Sequence, residues 1–179
     1  MGHALFLLCW LVLFGLCNLG YWEFFREKLK IDPAYYPSLS VVLTVSVLYV
    51  AGILNFLGEA SAALWLFGLL YLGKRVWRGG SVKILGFFWK TTFLFLAFFT
   101  IAAFAFCYGQ VLQEYDNFTH WGTVVKQMVT ENHFPDYRDS VILFQAYPLG
   151  TAIYLYFGLS FPGMGMAEDM AMFLQAYMI

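Results

Sequence analysis

Ala4-Leu-Phe-Leu-Leu-Cys-Trp-Leu-Val-Leu-Phe-Gly-Leu-Cys-Asn-Leu-Gly-Tyr21 contains no charged side chain. At about 1.5 Å per residue a helix of that length reaches roughly 27 Å, close to the roughly 30 Å of a bilayer's hydrocarbon core. Uncharged runs recur at residues 38–56, 91–112 and 141–159, with a shorter one beginning at residue 60. The composition agrees: 61% of the 179 residues are apolar, 21% are aromatic and only 12% are charged, about half the charged share of a soluble domain. An ordinary soluble globular protein is excluded. A net charge of -1 leaves no basic footprint for nucleic acid.

The expected fold is therefore all-α. It is a single polytopic membrane domain over 1–179, with five to six transmembrane helices and one outer interfacial amphipathic helix. The spans read as 4–21, 38–56, 60–75, 91–112 and 141–159, with an incomplete one at 170–179. Ten residues are too few to cross, so the sequence reads as a fragment, a truncated reading frame or a product that packs unfinished. Met1-Gly-His-Ala4 lacks the basic head of a secretory signal, so the first run is expected to be a retained span.

Orientation follows from basic residues. Arg26, Lys28 and Lys30, and then Lys74, Arg75, Arg78, Lys83 and Lys90, mark two loops that belong in the cytoplasm. Two crossings between them, turning at Asn55 to Glu59, satisfy both. The N-terminus is then outside, and the loop 113–140 is extracytoplasmic. That loop carries Glu114, Asp116, Glu131, Asp136 and Asp139 against Lys126 and Arg138. Cys9, Cys17 and Cys107 sit inside apolar runs, without the spacing of a disulfide framework or a zinc site.

In the outer loop, Trp121, Val124, Val125, Met128 and Val129 recur at helical spacing after Thr119, an N-cap residue type. The expected helix, 119–131, turns Lys126, Gln127, Thr130 and Glu131 to its other face and lies along the outer membrane surface. Asp116 falls where the fourth span meets this helix. It is either a solvated carboxylate marking the membrane's edge or a functional acid within reach of a lipid-borne phosphate. His120, four residues on, could share a divalent cation with it. Glu59 reads as exposed, His133 as a helix-end residue, and the closing methionines as packing residues.

Asp116-Asn-Phe-Thr-His-Trp121, the amphipathic helix, and Tyr147-Pro-Leu-Gly150 together resemble the outer loop of bacterial glycosyltransferases of the C-type fold. The corresponding patterns read D-E-F-S-H-W and Y-P-P-G. The resemblance spans about 114–158 and implies a membrane enzyme that moves a sugar from a polyprenyl-phosphate donor to a cell-surface glycan acceptor. It makes Asp116 the catalytic residue, with Lys126, His120 and Arg138 as candidates for the donor phosphate. Asn117, Trp121, Tyr147, Pro148 and Gly150 carry the motifs. Asn117 stands where a second acid is common, so a metal is not implied, and Leu149 replaces a proline. The competing classes are a non-enzymatic accessory subunit and a flippase or polymerase component for lipid-linked glycans.

Overall fold

A computed structural model of the chain describes residues 2–79, 91–112, 121–136 and 149–178, and every regular element among them is helical. These are α1 (Gly2–Phe24), α2 (Tyr36–Ile53), α3 (Leu57–Trp77), α4 (Thr91–Cys107), α5 (Trp121–Glu131), α6 (Gly150–Leu159) and α7 (Glu168–Met178). A π-helical turn, Phe25–Leu29, continues α1. A 3-10 turn, Pro33–Tyr35, leads into α2 and is capped by Asp32, whose carboxylate accepts the N–H of Ala34 at 2.8 Å.

Among the described residues two segments, Ala4–Leu29 and Pro33–Ile53, are long and apolar enough to cross a membrane. Ala97–Cys107 and Gly150–Leu159 are apolar but shorter. α3 has sufficient length, but Glu59, Lys74 and Arg75 lie within it. Left-handed residues set two of the boundaries: Asn55 (φ 60°) follows α2, and Gly109 (φ 71°) follows α4, which stops at Cys107 and short of the expected end at 112.

The chain forms two compact units: Met1–Leu43 with Ala63–Ala97, and Thr44–Ala62 with Phe98–Ile179. In the first, α1 and α3 approach until their backbones touch. A Cβ built on Gly20 would collide with the carbonyl of Gly68, and one on Gly68 would lie 2.6 Å from the carbonyl oxygen and Sγ of Cys17. Close approach through glycines is how apolar helices gain dispersion contact when lipid offers them nothing better. Around the crossing, the Tyr21 hydroxyl donates to the carbonyl of Leu64 at 2.8 Å. Trp10 stacks on Phe14 at 5.1 Å between centroids, and Phe14 meets Trp65 edge-on at 5.9 Å.

The same unit brings the two basic segments together. Arg26 and Arg75 both converge on the buried carboxylate of Glu23. The Trp22 indole donates to Ser40 near the start of α2 at 3.0 Å. α1 and α3 therefore finish at one end, as two intervening helices require.

The second unit is built round α6, in which every residue from Ala152 to Leu159 is buried. A helix apolar on all sides needs cover on all sides. α5 supplies part of it, with Val124, Val125 and Met128 buried in its packing on α6. α7 supplies more, with Leu174 filling the space above Gly158. The amphipathic helix expected on lipid thus has its apolar face covered by protein. Periodicity identifies a face to be buried without naming what buries it.

The placement of α6 also differs from expectation. Of the expected run 141–159, α6 occupies 150–159 and residues 141–148 lie outside the described residues. Ser160, at its end, shares a 2.6 Å hydrogen bond with Ser61 in the second turn of α3. The Tyr156 hydroxyl donates to Asn132 at 2.7 Å. After the turn at 161–165, Glu168 and Asp169 receive the N–H groups of Leu112 (2.9 Å) and Gly109 (3.2 Å), just beyond α4. The end of α6 therefore lies beside the α2–α3 turn instead of a membrane thickness away. α7 then runs antiparallel to α4, with Asp169 by Gly109 and Phe173 edge-on to Phe104 at 5.8 Å. This reverses the direction expected for 170–179.

Candidate functional site

Of the sequence-derived site residues, Trp121, Lys126 and Gly150 are described. Asp116, Asn117, His120, Arg138, Tyr147 and Pro148 lie outside the described residues, as does Thr119. What is on view is the frame on either side of the two motif stretches.

On one flank, the segment after α4 is held by the first two residues of α7. The Glu168 carboxylate accepts the Leu112 N–H, while Asp169, almost fully buried, accepts that of Gly109 and of its own neighbour Met170. An ionised acceptor gives a hydrogen bond about twice the strength of a neutral one. On the other flank, α5 begins at Trp121 and is fixed by its buried face on α6. The second motif leads straight into α6: Gly150 is its first residue, and the Leu149 carbonyl accepts the Ile153 N–H at 2.8 Å. Both motif stretches thus open into helices that pack on each other.

Lys126 is exposed on the polar face of α5 with Thr130 and Glu131, as the spacing predicts, and the Thr130 hydroxyl donates to its carbonyl at 2.8 Å. α5 ends at Asn132, whose left-handed backbone (φ 57°) turns the chain. His133 presents Nε2 to the Glu131 carboxylate at 2.7 Å and Nδ1 to the Phe134 carbonyl at 2.6 Å. Both ring nitrogens are thus engaged by neighbours at the end of α5. Phe134 then lays its ring over Gly52, 6.0 Å from the ring of Tyr49. Glu59 is exposed.

Among the described residues no three His, Cys, Asp or Glu side chains come together as a metal site. The three cysteines are free.

Sequence reading missed Glu168 and Asp169. Their partners lie 56 and 60 positions away, and such pairings leave no local periodicity. The available signal was two adjacent acids opening an apolar helix in a chain poor in charge. Glu168→Ala is expected to speed amide exchange at Leu112 by about tenfold or more, the loss of one charge-assisted hydrogen bond. Unchanged exchange would show that the carboxylate does not hold this segment. Comparison with family models, curated proteins and solved structures finds no match to the chain.

Proposed function

We propose that this chain is a membrane glycosyltransferase-like protein that draws on a polyprenyl-phosphate-linked sugar and works at the outer membrane surface. The observation that carries the reading is the anchored frame: Glu168 and Asp169 fix the backbone leading toward Asp116, and α5 and α6, into which the two motifs lead, form one packed pair.

In this reading α1, α2, α3 and α4 cross in turn from an outer N-terminus. The segments from Gly109 to Glu168 gather outside, and α7 re-enters the bilayer. Exposed apolar side chains along the helices support a lipid environment: Val12, Leu70, Phe98 and Phe106 are each more than 60% exposed, a surface that water would penalise. Single cysteines at Gln127 and Pro162 are then expected to label from outside only, and one at Arg78 from inside only. A cysteine at Pro162 that labels from inside would return α6 to the role of a crossing.

The chemistry is an inverting displacement. Asp116 takes the proton from an acceptor hydroxyl as its oxygen bonds to the anomeric carbon. The carbon–oxygen bond to the lipid phosphate breaks, and the phosphate leaves with the electron pair. Lys126, His120 and Arg138, with the N–H groups opening α5, are the local groups that can meet the charge developing on that phosphate. The polyprenyl tail confines the donor to the membrane plane, next to this loop. The deciding assay is sugar transfer by wild type and by Asp116→Asn.

A further inference from the structure

The shared end of α1 and α3 carries more positive charge than its own carboxylates can answer. Glu23 is fully buried and gives one oxygen, Oε2, to both Arg26 (Nε at 3.2 Å) and Arg75 (Nε at 3.5 Å). Its other oxygen, Oε1, is buried with no hydrogen-bond partner among the described residues. One carboxylate therefore holds two guanidiniums, each about a quarter exposed.

Outside this core runs a second row. Glu27 accepts the Tyr71 hydroxyl at 2.9 Å and pairs with Lys28 at 3.7 Å, while Lys74 lies over the Tyr71 ring, 5.9 Å from its centroid. Lys30 and Arg78 are exposed near the same helix ends. The remaining acid, Asp32, is engaged in capping Ala34. Among the described residues, six cations thus meet three carboxylates, each already engaged. Apolar side chains project beside them: Trp77 is 91% exposed, Val76 59% and Leu29 51%. Cations interleaved with an exposed indole and aliphatics match a headgroup whose phosphate is anionic and whose tails are apolar.

We propose that this end of the first unit binds the headgroup of an acidic phospholipid, its phosphate against Lys28, Lys74 and Arg78 and its acyl chains along Val76, Trp77 and Leu29. Glu23 acts as a positioning residue that fixes the two helix ends side by side. The proposal rests on the membrane reading above and is independent of the transferase chemistry.

The test uses the full chain in nanodiscs of phosphatidylcholine alone and of phosphatidylcholine with phosphatidylglycerol, followed by counting the lipids retained by the purified protein. Phosphatidylglycerol is expected to be enriched over its bulk share. Lys28→Gln, Lys74→Gln and Arg78→Gln should each cut that enrichment by about fivefold with helicity unchanged, since all three side chains are exposed. Raised salt should weaken it, and inorganic phosphate should do no more than chloride at equal ionic strength. Equal retention of both lipids by wild type, or enrichment untouched in all three variants, overturns the site. Selective displacement by inorganic phosphate overturns the lipid as its occupant. A chain that enters phosphatidylcholine discs without enrichment sinks this proposal alone, whereas one that enters no disc sinks the membrane reading with it.

Discussion

Gly20→Ala is expected to break the packing of α1 on α3, while Gly15→Ala, five residues earlier on the same helix, leaves it intact. The two substitutions add the same methyl group and the same gain in helix propensity, roughly 1 kcal/mol. They differ only in what the methyl meets. At Gly15 nothing lies within 4 Å, whereas at Gly20 the new Cβ runs into the backbone carbonyl of Gly68. A side chain could rotate aside, but a helix backbone can yield only by moving the whole helix. The cost should therefore reach or pass the upper end of the roughly 1–3 kcal/mol usual for overpacking. Displacement would also stretch the Tyr21–Leu64 hydrogen bond and open the Phe14–Trp65 contact. Gly68→Ala and Gly73→Ala repeat the comparison on α3, where Gly68 abuts Cys17 and Gly73 faces open space. Thermal unfolding in detergent, followed by tryptophan fluorescence, reads all four. Equal melting of Gly20→Ala and Gly15→Ala would mean that the helices do not approach through these glycines.

Those glycines show where sequence reading stops. Charge-free runs and the scarcity of Asp, Glu, Lys and Arg were enough for an all-helical chain, and the basic clusters at Arg26 and Lys74 were enough to pair the ends of α1 and α3. Helical spacing also found α5, with Val124, Val125 and Met128 inward and Lys126 outward. It could not say that α6, rather than lipid, covers them. The run 150–159 is as apolar as a transmembrane segment, and only its neighbours Ser61, Asn132 and Leu174 mark it as the core of a compact unit. The turn at Asn55 falls where the sequence placed it, whereas α4 ends before its apolar run does, with Gly109 turning left-handed. The candidate site is proposed from motif chemistry, and its acid, Asp116, lies outside the described residues; the hold of Glu168 and Asp169 on Leu112 and Gly109 depends on a fold that brings α7 back to α4.

Asp116→Asn is expected to cost at least the 10²–10⁴-fold that a positioned general base typically contributes, measured as sugar transfer. Asparagine matches aspartate in size and keeps a hydrogen-bonding oxygen, but its amide cannot take the proton from the acceptor hydroxyl. Insertion and abundance should stay at wild-type level, because a carboxylate at the membrane's edge contributes little to folding. Asn117→Ala should be milder, since an amide is no base to begin with. Lys126→Ala should fall between, removing one exposed cation that can meet the leaving phosphate, worth about 1–3 kcal/mol. The ordering carries more weight than any one value. Wild-type transfer by Asp116→Asn would remove the catalytic assignment and favour an accessory subunit whose outer segments serve only to pack.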